Sequence, residues 1–233
     1  FNNYKKSYMS DIKFGTDGWR ALIAKDYTVN NVARVTIAVS QWLKENYDNP
    51  SVVIGHDCRF GGEMFSQTAA KVLASHGIKV EIAMGFVSTP MVSLGVVKNS
   101  ASLGIVITAS HNPTEYNGLK FLQKDGTFLS PNQCSTLFAS VDSQLTLNKS
   151  ETMGEISDYT SGDEEHIAKV FSAQCINPNV IRSNKFKVVI DAVNGASSSI
   201  LPQLCKDLGC DVTMINCNGD GNFTRVAEPL AEN

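Results

Sequence analysis

The chain has 233 residues, of which 42% are hydrophobic and 18% charged, with a formal net charge of −3. That length suits one large domain or two ordinary ones, with enough apolar material to bury real cores. The slightly acidic balance, without a basic run or an aromatic–basic ladder, gives no electrostatic basis for binding nucleic acid. No apolar stretch approaches the roughly 18 residues of a membrane span, so no membrane partner is expected.

The opening FNNYKKSYMS has two lysines but no apolar core behind them, which does not read as a secretory signal. Position 1 is Phe rather than Met, so a processed or cut chain with a cytoplasmic address is expected. The six cysteines (58, 134, 175, 205, 210 and 217) form no CxxC pair. They read as small buried hydrophobes in a reducing compartment. Zinc at Cys205, Cys210 and Cys217 lacks a nearby histidine to complete a set.

In chain order, Phe14–Arg20 reads as a loop, and residues 29–47 carry Val32, Val35, Ile37, Val39, Trp42 and Leu43 in a broadly helical stripe. A short buried strand over 51–54 runs into GHDCRFGG. A helix over 63–76 follows, closed by Gly77 in the C′ place. A strand over 78–84, a helix over 90–99 and a strand over 104–109 come next. Residues 118–123 and 127–129 flank a Lys-Asp-Gly turn and predict a hairpin. Ser130 then caps a helix with Pro131 at its first position.

This alternation predicts an α/β fold, a mainly parallel mixed sheet flanked by helices. The first domain is expected over 1–152, because 148–161 turns polar and weakly periodic. Beyond it a helix over 164–171, a strand over 186–190, DAVNGASS, a helix over 200–208 and a strand over 211–216 make a βαβ unit. That unit begins a second, similar domain, 153–233, which looks unfinished.

Ligands of parallel α/β sheets gather outside the carboxyl ends of strands. FGTDGWR (14–20), GHDCR (55–59) and TASHNP (108–113) are assigned to that position. Ser110 is the candidate nucleophile or phosphate carrier, a weak one unless a base, a cation or prior modification assists it. His111 and Lys120 offer proton transfer, and Arg20 and Arg59 offer anion-binding forks. On pattern alone the plainer readings stay open. Ser-His-Asn-Pro also reads as a bare loop with an Asx turn, Asp57 and Arg59 as an ordinary surface pair, Lys120 as a solvated hairpin lysine, and FGTDGWR as a turn around a buried tryptophan. The run from Asn216 to Gly221 imitates a calcium loop, but its twelfth position is Ala227 where a bidentate glutamate belongs.

Taken together, TASHNP with YNGLK (116–120), KFGTDGWR, VVIGHDCR and VVIDAVNGA (188–196) resemble the α-D-phosphohexomutases, the phosphoglucomutase and phosphomannomutase family. The resemblance covers the first half of a four-domain architecture and stops before the acidic DGDxDR metal loop. It implies the amino-terminal part of such an enzyme, inactive alone. It further implies that Ser110 carries a phosphoryl group, passing it to a hexose 1-phosphate and recovering the other phosphate from a bound 1,6-bisphosphate. Arg20, Lys120 and His111 would serve that transfer. Mg²⁺ would be bound in part by Ser110 through its phosphate, and glucose 1,6-bisphosphate would act as activator. Hexose phosphates, glucose or mannose, are the implied partners. The alternatives are a phosphoglucosamine mutase and a non-catalytic sugar-phosphate-binding module. Trp19 leans towards the first reading, since isoleucine is more usual there in phosphoglucosamine mutases.

Overall fold

A computed structural model describes residues 12–15, 18–141, 150–160, 162–228 and 230–231. The first eleven residues, Thr16 and Asp17 of the FGTDGWR motif and part of the polar stretch after 141 lie outside the described residues.

The elements run β1 (Gly18–Leu22), α1 (Val29–Asn46), β2 (Ser51–His56), α2 (Gly62–Ser75), β3 (Lys79–Ala83), α3 (Thr89–Lys98), β4 (Leu103–Ile107), β5 (Tyr116–Gln123), α4 (Pro131–Ala139) and β6 (Ile156–Tyr159). The six strands form one sheet in the order β1-β5-β4-β2-β3-β6. Pairs β2/β3, β2/β4 and β3/β6 are parallel, and β5 runs antiparallel between β4 and β1. The expected mixed, mostly parallel α/β sheet is therefore present.

Local chemistry explains the element ends. Thr28 caps α1 by accepting from the Asn31 N–H. Val32, Val35, Val39, Trp42 and Leu43 of the stripe lie buried on one face of that helix, whereas Ile37, also read into the stripe, is only half-buried. At the end of α2, Ile78 N–H donates to Leu73 O and Gly77 N–H to Ala74 O, with Gly77 at φ 77°. This is a Schellman ending, in which glycine takes the left-handed position without a Cβ clash. Ser130 and Gln133 exchange hydrogen bonds at the start of α4, a reciprocal capping box.

Both faces of the sheet are covered. Ile54, Phe65, Leu73, Ile105, Ile107 and Phe121 belong to a core shared with α1, α2 and α4. Val53, Val92, Val96, Val106 and Leu122 form the other core, under α3. The residues of β4 are buried throughout, which is why this strand reads as a continuous apolar run.

Three expectations change. Gly18–Arg20, assigned to a strand-end loop, begin β1 and pair with Lys120, Leu119 and Gly118. The segment Gly-Trp-Arg-Ala-Leu has no β-branched residue, and pairing with β5 rather than local propensity makes it a strand. The predicted hairpin keeps its turn, with Gly126 at φ 82°, but its second arm shrinks to one bridge, Leu122–Phe128, because the Ser130 cap begins the next helix. Strand β6, within the polar stretch beyond 152, was not predicted; it closes the edge of the first sheet against β3.

The remaining elements are α5 (Gly162–Phe171), α6 (Pro178–Asn184), β7 (Lys187–Asp191), α7 (Ile200–Asp207) and β8 (Asp211–Ile215). Strands β7 and β8 form a separate parallel pair joined through α7, the expected βαβ unit. Helix α6 was not predicted. Helix α5 packs on α3, where Lys98 and Glu165 form an ion pair.

Candidate active site

Strands β2 and β4 are parallel neighbours in register, with His56 opposite Ile107. Their carboxyl ends therefore release GHDCR and TASHNP side by side, and Asp57 N–H donates to Ile107 O at 3.0 Å. Asp57 is buried. Its carboxylate accepts from Thr108 Oγ1 at 2.5 Å and from the Arg59 N–H at 2.9 Å, and it lies 3.3 Å from Arg59 Nε. Burial pushes the Asp57 carboxyl above its ordinary range, against the pull of the Thr108 and Arg59 hydrogen bonds.

Arg59 is the centre of the loop's support. Its side chain is 0% exposed, and its two terminal nitrogens donate to the carbonyls of Ser110 (2.9 Å), Asn112 (2.5 Å), Pro113 (2.6 Å) and Tyr116 (3.1 Å). The expected surface pair is thus a buried one. The expected anion fork is also absent at Arg59, because those donors are already committed to backbone. A guanidinium suits this task, carrying fixed charge and forked donors that meet several carbonyls at once.

The clamp presents Ser110. Its N–H donates to Thr108 Oγ1 at 3.0 Å, its φ is +57°, and its side chain faces solvent. A non-glycine residue in the left-handed region costs about 1 kcal/mol or more and persists only where its surroundings fix it. Here Arg59 and Thr108 fix it, and the result is an exposed Oγ on a rigid backbone.

The other predicted site residues divide. Arg20, in β1 opposite Gly118, reaches the loop through Nη1 to Asn112 Oδ1 at 3.2 Å. His111 lies beside Ser110, with Nδ1 3.4 Å from its Oγ. Lys120 is buried one pair further down the sheet, opposite Val106, with its ammonium 5.3 Å from the Phe128 ring centroid. No hydrogen bond joins Lys120 to Ser110 among the described residues.

Several contributors escaped the sequence reading. Tyr27, fully buried, donates to Gly118 O at 2.9 Å, the same carbonyl that accepts from the Thr108 N–H at 3.0 Å. Burial keeps the Tyr27 hydroxyl well above its usual range, so it acts as a donor. Gly118 lets the strands close up here. A Cβ there would lie 2.5 Å from Trp19 O and 2.7 Å from Thr108 O.

The second unit reaches across the same loop. Glu228 Oε2 lies 3.0 Å from His111 Nε2, and Arg59 lies 4.8 Å from the Phe223 ring centroid. Cys58 Sγ donates to Asn194 O at 3.3 Å, within the DAVNGA turn. Val193 and Asn194 there have φ of +50° and +55°, and a β-branched residue in that region is a true outlier. Between the units lies a cleft of about 260 Å³ lined by Cys58, Ser88, Ser110, Gly195 and Phe223, among others. Among the described residues, no group of three or more His, Cys, Asp and Glu side chains is arranged to hold a metal. The described residues alone thus do not form a Mg²⁺ site. No described helix is long and apolar enough to cross a membrane.

A doubly covered α/β sheet thus offers an exposed, backbone-clamped serine at a strand end, where ligands of parallel α/β sheets gather. Residues 11–147 match the family described as phosphoglucomutase/phosphomannomutase, alpha/beta/alpha domain I, and residues 164–233 match domain II of the same family. The chain belongs to the phosphoglucomutase/phosphomannomutase family. It is 35% identical over 228 residues to the Thermococcus kodakarensis phosphoglucomutase/phosphomannomutase, covering 94% of this chain and 48% of that protein. It is 33% identical over 222 residues to the Methanococcus vannielii phosphoglucosamine mutase, covering 94% and 46% respectively. A Thermus thermophilus crystal structure bearing the phosphomannomutase name superposes with a TM-score of 0.79 at 27% identity, over 89% of this chain and 46% of that one. The chain thus spans about half the length of the relatives it matches.

Proposed function

We propose that this chain is the phosphoserine-bearing part of a phosphohexomutase that interconverts hexose 1-phosphate and hexose 6-phosphate, with glucose or mannose as the sugar. Ser110 carries the phosphoryl group. It passes to the free hydroxyl of a hexose monophosphate, and the other phosphate of the resulting 1,6-bisphosphate returns to Ser110. Glucose 1,6-bisphosphate would prime the unphosphorylated serine.

The observation that carries this reading is the exposed Ser110 Oγ on a left-handed backbone held by buried Arg59. Phosphoryl transfer depends mainly on positioning and on stabilising charge, and a rigid loop supplies the first. A phosphoserine brings about −1.5 to −2 charges. Arg20, already at the loop, and Lys120 are the cations assigned to offset them, with Lys120 also assigned to proton transfer once substrate is bound. Mg²⁺ is expected of such an enzyme, with Ser110 contributing through its phosphate. The described residues do not complete a site for it.

A phosphoglucosamine mutase is the second reading, favoured by the name of the 33% identical Methanococcus relative. Trp19 does not decide between them. It is 2% exposed and packs against Tyr27, so its identity answers to packing rather than to a sugar. The test is kcat/KM for glucose 1-phosphate, mannose 1-phosphate and glucosamine 1-phosphate in the full-length protein, beside Ser110→Ala. The proposal expects preference for glucose or mannose and loss of activity in S110A. Full activity in S110A would leave a non-catalytic, sugar-phosphate-binding role for the loop.

A further inference from the structure

The contact between His111 and Glu228 joins the serine loop to the last described loop of the second unit, and the mutase reading above gives it no part. Glu228 Oε2 lies 3.0 Å from His111 Nε2, and His111 Nδ1 lies 3.4 Å from Ser110 Oγ. An ionised carboxylate only accepts, so Nε2 must carry the hydrogen. In the neutral imidazole, Nδ1 then presents a lone pair, and that lone pair faces the serine hydroxyl.

The approach of Glu228 is built by its own loop rather than by the ion pair alone. Arg225 ties the segment back to Asp191 at 2.7 Å. Phe223 sits against the Arg59 guanidinium, and Asn222 O accepts from Asn194 Nδ2 at 3.0 Å. The segment is thus anchored on both the β7 end and the Arg59 side chain that clamps the serine loop before it reaches His111. The His111 and Glu228 side chains are 44% and 39% exposed. A pair that open adds little to stability, and it lies directly beside the Ser110 hydroxyl.

We propose that Glu228 is a positioning residue that holds His111 with Nδ1 towards Ser110, making His111 the proton acceptor when Ser110 is rephosphorylated. The proposal rests on the mutase reading. As Ser110 Oγ attacks the phosphorus of a hexose bisphosphate, the Oγ–H bond breaks and its proton passes to Nδ1. The Oγ electron pair forms the new O–P bond. The bond from phosphorus to the sugar oxygen breaks, and that oxygen keeps its electron pair and takes a proton from water. His111 returns its proton to water, so protons and charge balance. Glu228 accepts from Nε2–H throughout and so holds the ring in place, as the third group does in other nucleophile–base–orienter arrangements. The 3.4 Å separation is long for a transfer, and such contacts tighten when substrate binds.

The test uses the full-length protein, with kcat and KM measured for Glu228→Ala, Glu228→Gln, His111→Ala and the double variant H111A/E228A, beside Ser110→Ala. Glutamine keeps an oxygen that accepts from Nε2–H. The expected result is a kcat loss of about tenfold in E228A at unchanged KM. E228Q should stay within about threefold of the parent, and E228A should cause no further loss in the H111A background. The proposal is overturned if E228A matches the parent, if E228Q falls as far as E228A, or if E228A slows H111A as much as it slows the parent. An S110A variant that keeps full activity overturns the mutase reading itself. An inactive S110A beside an unaffected E228A overturns only the role of Glu228.

Discussion

Arg59 donates from a fully buried guanidinium to the carbonyl of Ser110 at 2.9 Å, so the residue proposed to carry phosphate is held by its backbone and leaves its hydroxyl uncommitted to that clamp. Charge at Arg59 is spent on loop geometry, while Arg20 lies nearer the loop's outer face through Asn112.

That division predicts different phenotypes. Arg59→Met removes the donors from four carbonyls and leaves Asp57 buried without its cation. The expected cost is about 3–5 kcal/mol of stability, as for breaking a buried pair by deleting one partner. Urea unfolding of the first unit's tryptophan signal checks it; a loss under about 1 kcal/mol would reduce Arg59 to an ordinary surface arginine. Arg20→Ala should instead leave the unfolding midpoint nearly unchanged while lowering kcat/KM at least about tenfold in the full-length enzyme.

Gly118→Ala tests the close approach beneath the loop. The added methyl meets two backbone carbonyls, which cannot rotate away. We expect loss of about 2 kcal/mol or more, in the range of overpacked cores, and a disordered serine loop seen as faster amide exchange at 108–112. Parent-like exchange and stability in G118A would contradict the packing described.

Cysteine chemistry offers a readout beside the cleft. Burial, with help from Asp57, pushes the Cys58 thiol up to about 11, whereas Cys175 is exposed. Thiolate is the reactive form, so at about pH 8 iodoacetamide should label Cys175 well before Cys58. Peptide mapping of a time course decides, and prompt labelling of Cys58 would show that it is not shielded as described.

A pH effect follows from the latch of the second unit. The Arg225 hydrogen bond, then those from Val193 and Asn216, lower the Asp191 carboxyl from its ordinary 3.8. A depressed carboxylate stabilises the fold above its unfolded pKa and loses that contribution as pH falls through the folded value. The difference in urea midpoint between the parent and Asp191→Asn should therefore be present at about pH 6 and vanish in strong acid. A difference that grows on acidification would reverse the sign and remove the latch.

How much of this was legible in the sequence depends on whether its cause is local. β4 and the serine loop were readable because Ile105, Val106 and Ile107 form a β-branched run that must be buried, followed by an abrupt polar turn. The capped helix after Ser130 was readable for the same reason. β1 and β6 were not, because Gly18–Leu22 and Ile156–Tyr159 are strands through their partners. The sequence shows Arg59 as a charge near the site, but four carbonyl acceptors supplied by another loop have no sequence signature. Tyr27 and Glu228 act on residues far away in the chain. Lys120 stands at the motif's position, yet β5 carries it beneath Phe128, a placement only the sheet register reveals.

In the proposed function, everything turns on Ser110 accepting and holding the phosphoryl group. The most direct measurement is peptide-mapped mass spectrometry of the full-length protein after incubation with glucose 1,6-bisphosphate, with S110A alongside. The expected result is a single phosphate on Ser110, absent from S110A and removed when a hexose monophosphate is added. Phosphate on Thr108 or elsewhere, or a Ser110 that stays unmodified in an enzyme turning over substrate, would contradict it.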